Sequence, residues 1–144
     1  MIPLGHWITP ELLARAGAKF HLRDIFMGPV DRDAYDLIVM TQVIAHLKFR
    51  PDEAIAICHE MLKPGGSLIV TALDPACTQC YSTYGADWEA VPVYGTTPAS
   101  PDMVVCLYTQ ESLERLLRTS FEQVEVWQPE RSMLNFGVCI KDGG

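Results

Sequence analysis

Positive charge is in short supply: 11 Lys and Arg stand against 18 Asp and Glu in 144 residues, a net charge of −7. With no general basic field, attraction to nucleic-acid phosphates is not expected, and a small or protein-bound substrate fits the balance better. Long apolar runs are lacking too. None approaches the roughly 18 residues that a membrane-crossing helix needs, and the segment after Met1 has neither the basic nor the apolar stretch of an export signal. The expectation is a cytoplasmic protein that does not enter a membrane. Paired cysteines are missing as well. The count is odd (Cys58, Cys77, Cys80, Cys106 and Cys139), and without an export signal that argues for reduced thiols rather than a disulfide framework. Cys77 and Cys80 form one Cys-x-x-Cys pair with no second pair and no nearby His to complete four zinc ligands. No metal site is expected.

What is present is apolar: 49% hydrophobic residues and 20% charged. A chain of this size and composition buries the core of one domain, here residues 1–144. Thr9 has the character of an N-cap, with Pro10 at the first helical position and Glu11 in the first turn, and that helix ends near Gly17. Residues 19–26 (KFHLRDIF) read as a strand, and 27–35 (MGPVDRDAY) have the Gly, Pro and Asp density of a loop. Leu37-Ile38-Val39-Met40 is continuously apolar, which suits a parallel strand covered on both faces. A helix follows from Pro51, with Asp52 and Glu53 at its positive end and Ala54, Cys58, Met61 and Leu62 as its apolar stripe. Lys63-Pro64-Gly65-Gly66 ends it, and 67–73 form a further buried strand.

Periodicity then disappears between 74 and 107, where prolines, Tyr81, Tyr84, Trp88 and Tyr94 occupy an irregular stretch. Segments of this length inside a compact domain are often lids or binding loops, and these aromatics serve either as a substrate pocket or as loop anchors. Thr109 caps a helix with Leu113, Leu116 and Leu117 on one face. Residues 121–127 and 134–140 flank a turn as an antiparallel hairpin, with Leu134, Phe136, Val138 and Ile140 alternating with smaller or polar residues. The sum is an α/β, three-layer architecture.

Two blocks make a family resemblance specific. Tyr35-Asp36-Leu37-Ile38-Val39-Met40-Thr41-Gln42-Val43-Ile44-Ala45-His46-Leu47 resembles the fourth strand and following turn of class I S-adenosylmethionine-dependent methyltransferases, and Met61-Leu62-Lys63-Pro64-Gly65-Gly66-Ser67-Leu68-Ile69-Val70 resembles their turn into the fifth strand. Arg23-Asp24 looks like the end of the third strand; Tyr108 to Phe121 looks like the helix before the last hairpin. The resemblance runs from about Ile8 to Ile140. It implies a Rossmann-like sheet, mostly parallel, with a C-terminal antiparallel hairpin and the first two strands missing. It implies S-adenosylmethionine as cofactor and a small-molecule acceptor. By the same resemblance Asp24, Ile25, Met40, Thr41 and Gln42 are cofactor-binding candidates, with Asp24 accepting from the adenine amino group. His46 is a catalytic-base candidate or a ring packed under the strand end. Tyr81, Tyr84, Trp88 and Tyr94 are substrate candidates.

The family's glycine-rich loop is not among these residues: no Gly-x-Gly-x-Gly occurs, and the ribose-gripping acid would fall near Gly5-His6, where neither fits. The family order also places the absent first strand beside the fourth. Leu37 to Met40 would then be an apolar edge, to be covered by a second copy, by another chain, or by the third strand swinging in beside the fourth. Three functions remain open: a methyltransferase whose site is completed in trans, a degenerate binding or regulatory subunit, and another reaction on the same scaffold.

Overall fold

Thr9 opens the first helix as its side chain dictates. In the computed structural model, which describes residues 9–47, 50–74, 93–94 and 104–143 (93, 94, 104 and 105 by backbone only), Thr9 Oγ1 accepts the Leu12 N–H at 3.1 Å. Helix α1 spans Pro10–Ala16, and Gly17, at φ 65°, closes it in the left-handed conformation that lacks a Cβ penalty only for glycine. The strand expected over 19–26 does not form. An extended segment becomes a strand only when a neighbour takes its backbone groups. Here Asp24 accepts the Phe26 N–H at 2.9 Å instead and caps a 3-10 turn over Ile25–Met27.

Strand β1 (Tyr35–Thr41) leads through a 3-10 turn (Ile44–His46) into α2 (Pro51–Met61), then β2 (Leu62–Leu73). The pairs Val93–Tyr94 (β3) and Val104–Val105 (β4) form a separate two-stranded ribbon. Helix α3 (Gln110–Leu117), β5 (Gln123–Trp127) and β6 (Leu134–Ile140) complete the chain. The main sheet has the order β1-β2-β6-β5, with β1 parallel to β2 and the hairpin antiparallel. This is the expected α/β sheet closed by a C-terminal hairpin, its parallel part reduced to one pair among the described residues.

The Lys-Pro-Gly-Gly segment lies within β2 rather than before it. Leu62 is already extended (φ −74°, ψ 141°), and the register moves from Tyr35↔Leu62 to Leu37↔Ser67, so residues 63–66 bulge out of the ladder. The sheet closes tightly over Gly66, where a Cβ would meet the Lys63 and Tyr35 carbonyl oxygens at 2.9 and 3.0 Å. Lys141 pins the bulge from outside: its carbonyl accepts the Gly65 N–H at 2.8 Å, and its N–H donates to Gly66 at 2.9 Å.

Helices α2 and α3 pack on the same face of the sheet. Ala54, Ile55, Cys58, Leu113, Leu116 and Leu117 meet Met40, Leu68, Val70, Ala72 and Cys139 in the core, at roughly 1.5–3 kcal/mol for each large side chain buried. On β6 the residues facing the helices are Asn135, Gly137 and Cys139, all buried, whereas Leu134, Phe136 and Val138 face the other way and are partly exposed. The register puts Val138 in line with Ile69 and Val39, and Leu37 lies on the same face as these. Leu37 and Val39 are 52% and 55% exposed. The expectation that 37–40 is covered on both faces is therefore corrected, because the described residues place helices on one face of the sheet. No helix among them is long and apolar enough to cross a membrane.

Candidate functional site

The parallel pairing of β1 and β2 ends at Thr41 and Thr71, which face each other in register. Open α/β sheets place ligands outside such carboxyl ends. Thr71, only 3% exposed, accepts the Gln42 N–H on Oγ1 at 3.0 Å. That bond accompanies a left-handed Gln42 (φ 59°), a conformation that costs a residue with a Cβ and that clusters at functional turns. The chain then enters the turn Ile44–His46, with Ile44 and Ala45 fully buried and His46 exposed. Thus Thr41, Gln42 and His46 share one end of β1, exposed and close to one another in sequence. Thr71 is the residue that sequence reasoning missed; nothing in an apolar strand marks a threonine whose hydroxyl shapes the neighbouring strand's exit.

Asp24 and Ile25 belong to the same end. The Arg50 guanidinium lies over the Phe26 ring at 5.1 Å, and Arg50 is the N-cap of α2, the helix that follows β1's carboxyl end. The Asp24 carboxylate is exposed and is already accepting the Phe26 N–H. Ile25 is half-buried and Met40 buried, and both belong to the apolar interior rather than to the exposed turn. They help line a trench of about 280 Å³ between β1, α2 and residues 21–30, whose other walls include Ile38, Ile57, Cys58 and Met61. Arg23 is the charged residue of its lining, with His21 also on the wall.

The carboxyl end of β2 carries a second polar group. Asn135, fully buried, donates from Nδ2 to Asp74 Oδ2 at 2.9 Å and to the Tyr108 carbonyl at 2.7 Å. This ties the exit of β2 to the approach of α3 through the middle of β6. Tyr81, Tyr84 and Trp88 lie outside the described residues, as do Cys77 and Cys80; Tyr94 is placed by its backbone in β3, opposite Val104. No cluster of metal-ligating side chains occurs among the described residues.

The three cysteines that are described, Cys58, Cys106 and Cys139, are buried and take part in no disulfide with one another. Burial pushes the Cys58 thiol up to about 11 and that of Cys139 up to about 12, from an ordinary 9.0. Because both folded values lie above the ordinary one, thiol burial favours the folded state below about pH 9 and ceases to as pH rises through 11 to 12. Alkylation at about pH 8, mapped by mass spectrometry, is expected to leave all three unmodified until the protein unfolds, since the thiolate is the nucleophile. Rapid native-state modification of Cys58 would contradict its burial on the core-facing side of α2.

The sequence from 7 to 122 matches the family described as the methyltransferase domain. The chain therefore belongs to that family. Among solved structures it is similar to an S-adenosylmethionine-dependent methyltransferase from Methanosarcina mazei (15% identity, TM-score 0.63, 87% of this chain and 68% of that one). It is also similar to the Burkholderia thailandensis 1,6-didemethyltoxoflavin-N1-methyltransferase, solved with 1,6-didemethyltoxoflavin and S-adenosylhomocysteine (14%, 0.63, 92% and 55%). A third similar structure is a possible exported protein from Bordetella parapertussis (18%, 0.62, 92% and 48%). Identities this low show the fold, and the chain spans about half to two thirds of those chains. No curated protein matches the sequence.

Proposed function

We propose that the chain takes part in S-adenosylmethionine-dependent methyl transfer to a small molecule in the cytoplasm, supplying one part of the cofactor site and leaving the rest to polypeptide outside these 144 residues. The observation that carries this reading is the constrained exit of β1, where a left-handed Gln42 held by Thr71 presents Thr41 and Gln42 at the ligand-binding end of the sheet. Asp24, at the same end, suits an adenine amino group: one carboxylate oxygen holds the Phe26 N–H, which fixes the side chain's direction. Ile25 and Met40 offer apolar surface beside it. The donor set fits the adenine end of the cofactor and no other part of it. Neither a glycine-rich loop for the methionine moiety nor an acid for the ribose accompanies it in the sequence.

When bound, the cofactor supplies an electrophilic methyl group on a sulfonium sulfur. What this chain contributes is orientation, which provides much of the rate in a reaction between two aligned reactants. His46, exposed in the turn after β1, is assigned to take a proton from the acceptor. Tyr81, Tyr84, Trp88 and Tyr94, in the 74–107 segment, are assigned to acceptor binding.

Each missing hydrogen bond to a charged group removes roughly 1.5–3 kcal/mol, and every 1.4 kcal/mol or so is tenfold in affinity. Calorimetric titration of the chain with S-adenosylhomocysteine is therefore expected to show binding weaker than micromolar. Asp24→Ala should weaken it by about tenfold more. Absence of heat up to millimolar ligand would remove the cofactor from this reading. The alternative favoured by the lack of Gly-x-Gly-x-Gly, a cofactor-free binding or regulatory subunit, would then stand.

A further inference from the structure

We infer that Arg50 is a positioning residue for the adenine side of the proposed cofactor site, fixing the turn that carries Asp24 through its contact with the Phe26 ring. The inference rests on the adenine reading above and deepens it: Arg50 sets how sharply the site tells an amino group from a carbonyl.

The first observation is an N-cap that does not cap. Arg50 stands before α2, where Ser, Thr, Asp or Asn would accept a helix N–H, and its side chain makes no such hydrogen bond. Its backbone is left-handed as well, at φ 54°. A residue with a Cβ keeps that conformation only where its surroundings determine it, and such residues cluster at ligand clamps and functional turns. The side chain is used elsewhere. Its guanidinium lies 5.1 Å from the centre of the Phe26 ring, within the range of cation–π attraction, and Glu53 Oε2 accepts from its Nε at 2.6 Å. The ion pair restrains the guanidinium over the ring.

The second observation is what Phe26 holds. Its N–H is the donor that Asp24 Oδ1 accepts at 2.9 Å, so the ring under Arg50 and the carboxylate belong to one short turn. The other hydrogen bonds of that turn are local. The Met27 N–H donates to the Asp24 carbonyl at 3.1 Å and the Gly28 N–H to the Ile25 carbonyl at 3.2 Å, while the Arg23 guanidinium reaches the Met27 and Gly28 carbonyls at 3.4 and 3.5 Å. These set the shape of the turn and not its place. Its place comes from Ile25, packed against the core, and from Phe26 beneath Arg50. Arg50 opens α2, the helix that follows the carboxyl end of β1, so the contact ties Asp24 to the end of the sheet where Thr41 and Gln42 lie. Hydrogen bonds weaken steeply with misalignment. A carboxylate placed for the adenine amino group accepts from adenosine and repels inosine, which carries a carbonyl at that atom.

NMR titration of the isotopically labelled full chain with adenosine and with inosine tests this. The wild type is expected to prefer adenosine by about tenfold. Arg50→Gln and Phe26→Leu should each weaken adenosine roughly two- to fivefold and leave inosine nearly unchanged. Both nucleosides are uncharged, so loss of a positive charge by itself would move them alike. Arg50→Lys, which keeps a cation over the ring, should stay near the wild type. The double variant should be no weaker than either single one, since both act through one contact. The Arg50 side chain is 61% exposed, so its variants should stay folded, as circular dichroism checks. Adenosine and inosine weakened equally by Arg50→Gln overturns the inference, because a merely structural role gives that result. So does an Arg50→Gln protein that binds adenosine like the wild type while Asp24→Ala weakens it; the cofactor reading then survives alone. A wild type that binds neither nucleoside, or both equally, ends the adenine reading and this inference with it.

Discussion

Asn135→Ala is expected to lower the unfolding free energy by about 2–3 kcal/mol. The residue is fully buried in β6, and its two N–H groups satisfy the Tyr108 carbonyl at 2.7 Å and the Asp74 carboxylate at 2.9 Å. Stranding a buried carbonyl costs about 1–3 kcal/mol, and losing a hydrogen bond to a charged group about 1.5–3. Against this stands one relief: Asn135 Oδ1 is itself buried with no partner, and its removal returns about 1–3 kcal/mol. The two losses outweigh the single gain. Urea unfolding reads the result as a lower midpoint at unchanged slope. A change below about 0.5 kcal/mol, the range of ordinary surface substitutions, would show that the link from β2 through β6 to α3 does not contribute as described. The consequence reaches the proposed site, because Asp74 is the first residue after β2 at its ligand-binding end.

Gly137→Val should destabilise by roughly 1–3 kcal/mol, against the direction that strand propensity alone would give. A valine is favoured over glycine in a strand by up to about 1 kcal/mol. At Gly137, however, a Cβ would stand 2.4 Å from Leu117 Cδ1, with Leu113 and Val126 at 3.7 Å. Leu117 and Leu113 are fully buried, so neither has open space to retreat into. The glycine is what lets α3 lie this close to the sheet. Thermal unfolding should show a midpoint lower by several degrees. An unchanged or raised midpoint would mean that α3 rides farther from β6 than this packing shows.

Some of this architecture was legible from local chemistry. Thr9, Pro10 and Gly17 bound α1, and Thr109 caps α3 by accepting the Ser112 N–H at 3.0 Å, because each signal acts within one turn of chain. Strand β1 followed from its apolar run and α2 from its spacing, although Leu62, expected in the α2 stripe, opens β2, Met61 is only half-buried, and Ile55 and Ile57 complete the buried face. Other features depend on partners distant in sequence. Residues 19–26 have strand composition, yet Asp24 turns the chain where no strand lies alongside. The alternation over 134–140 announces two different faces without saying which is covered. The small and polar side, Asn135, Gly137 and Cys139, is the one beneath α3, since a helix approaches closely only where side chains are short. Of the candidate site, the segment after β1 was legible because its pattern is contiguous. Thr71, 29 residues from Gln42, and the trench lining, drawn from three separate stretches, were not.

By itself the sequence determined membership in the methyltransferase domain family, the order of the main-sheet strands and their helices after Tyr35 (though not the β3–β4 ribbon within 74–107), the acidic balance and the lack of a glycine-rich loop, carried by composition and short contiguous motifs. Tertiary structure alone decided which face of the sheet the helices cover, that an apolar trench runs between β1, α2 and residues 21–30, and that Thr71 sets the exit at Gln42. The reason is physical: caps, turns and periodicity depend on a few neighbouring residues, whereas an edge, a covered face or a trench depends on which distant segments come to lie alongside.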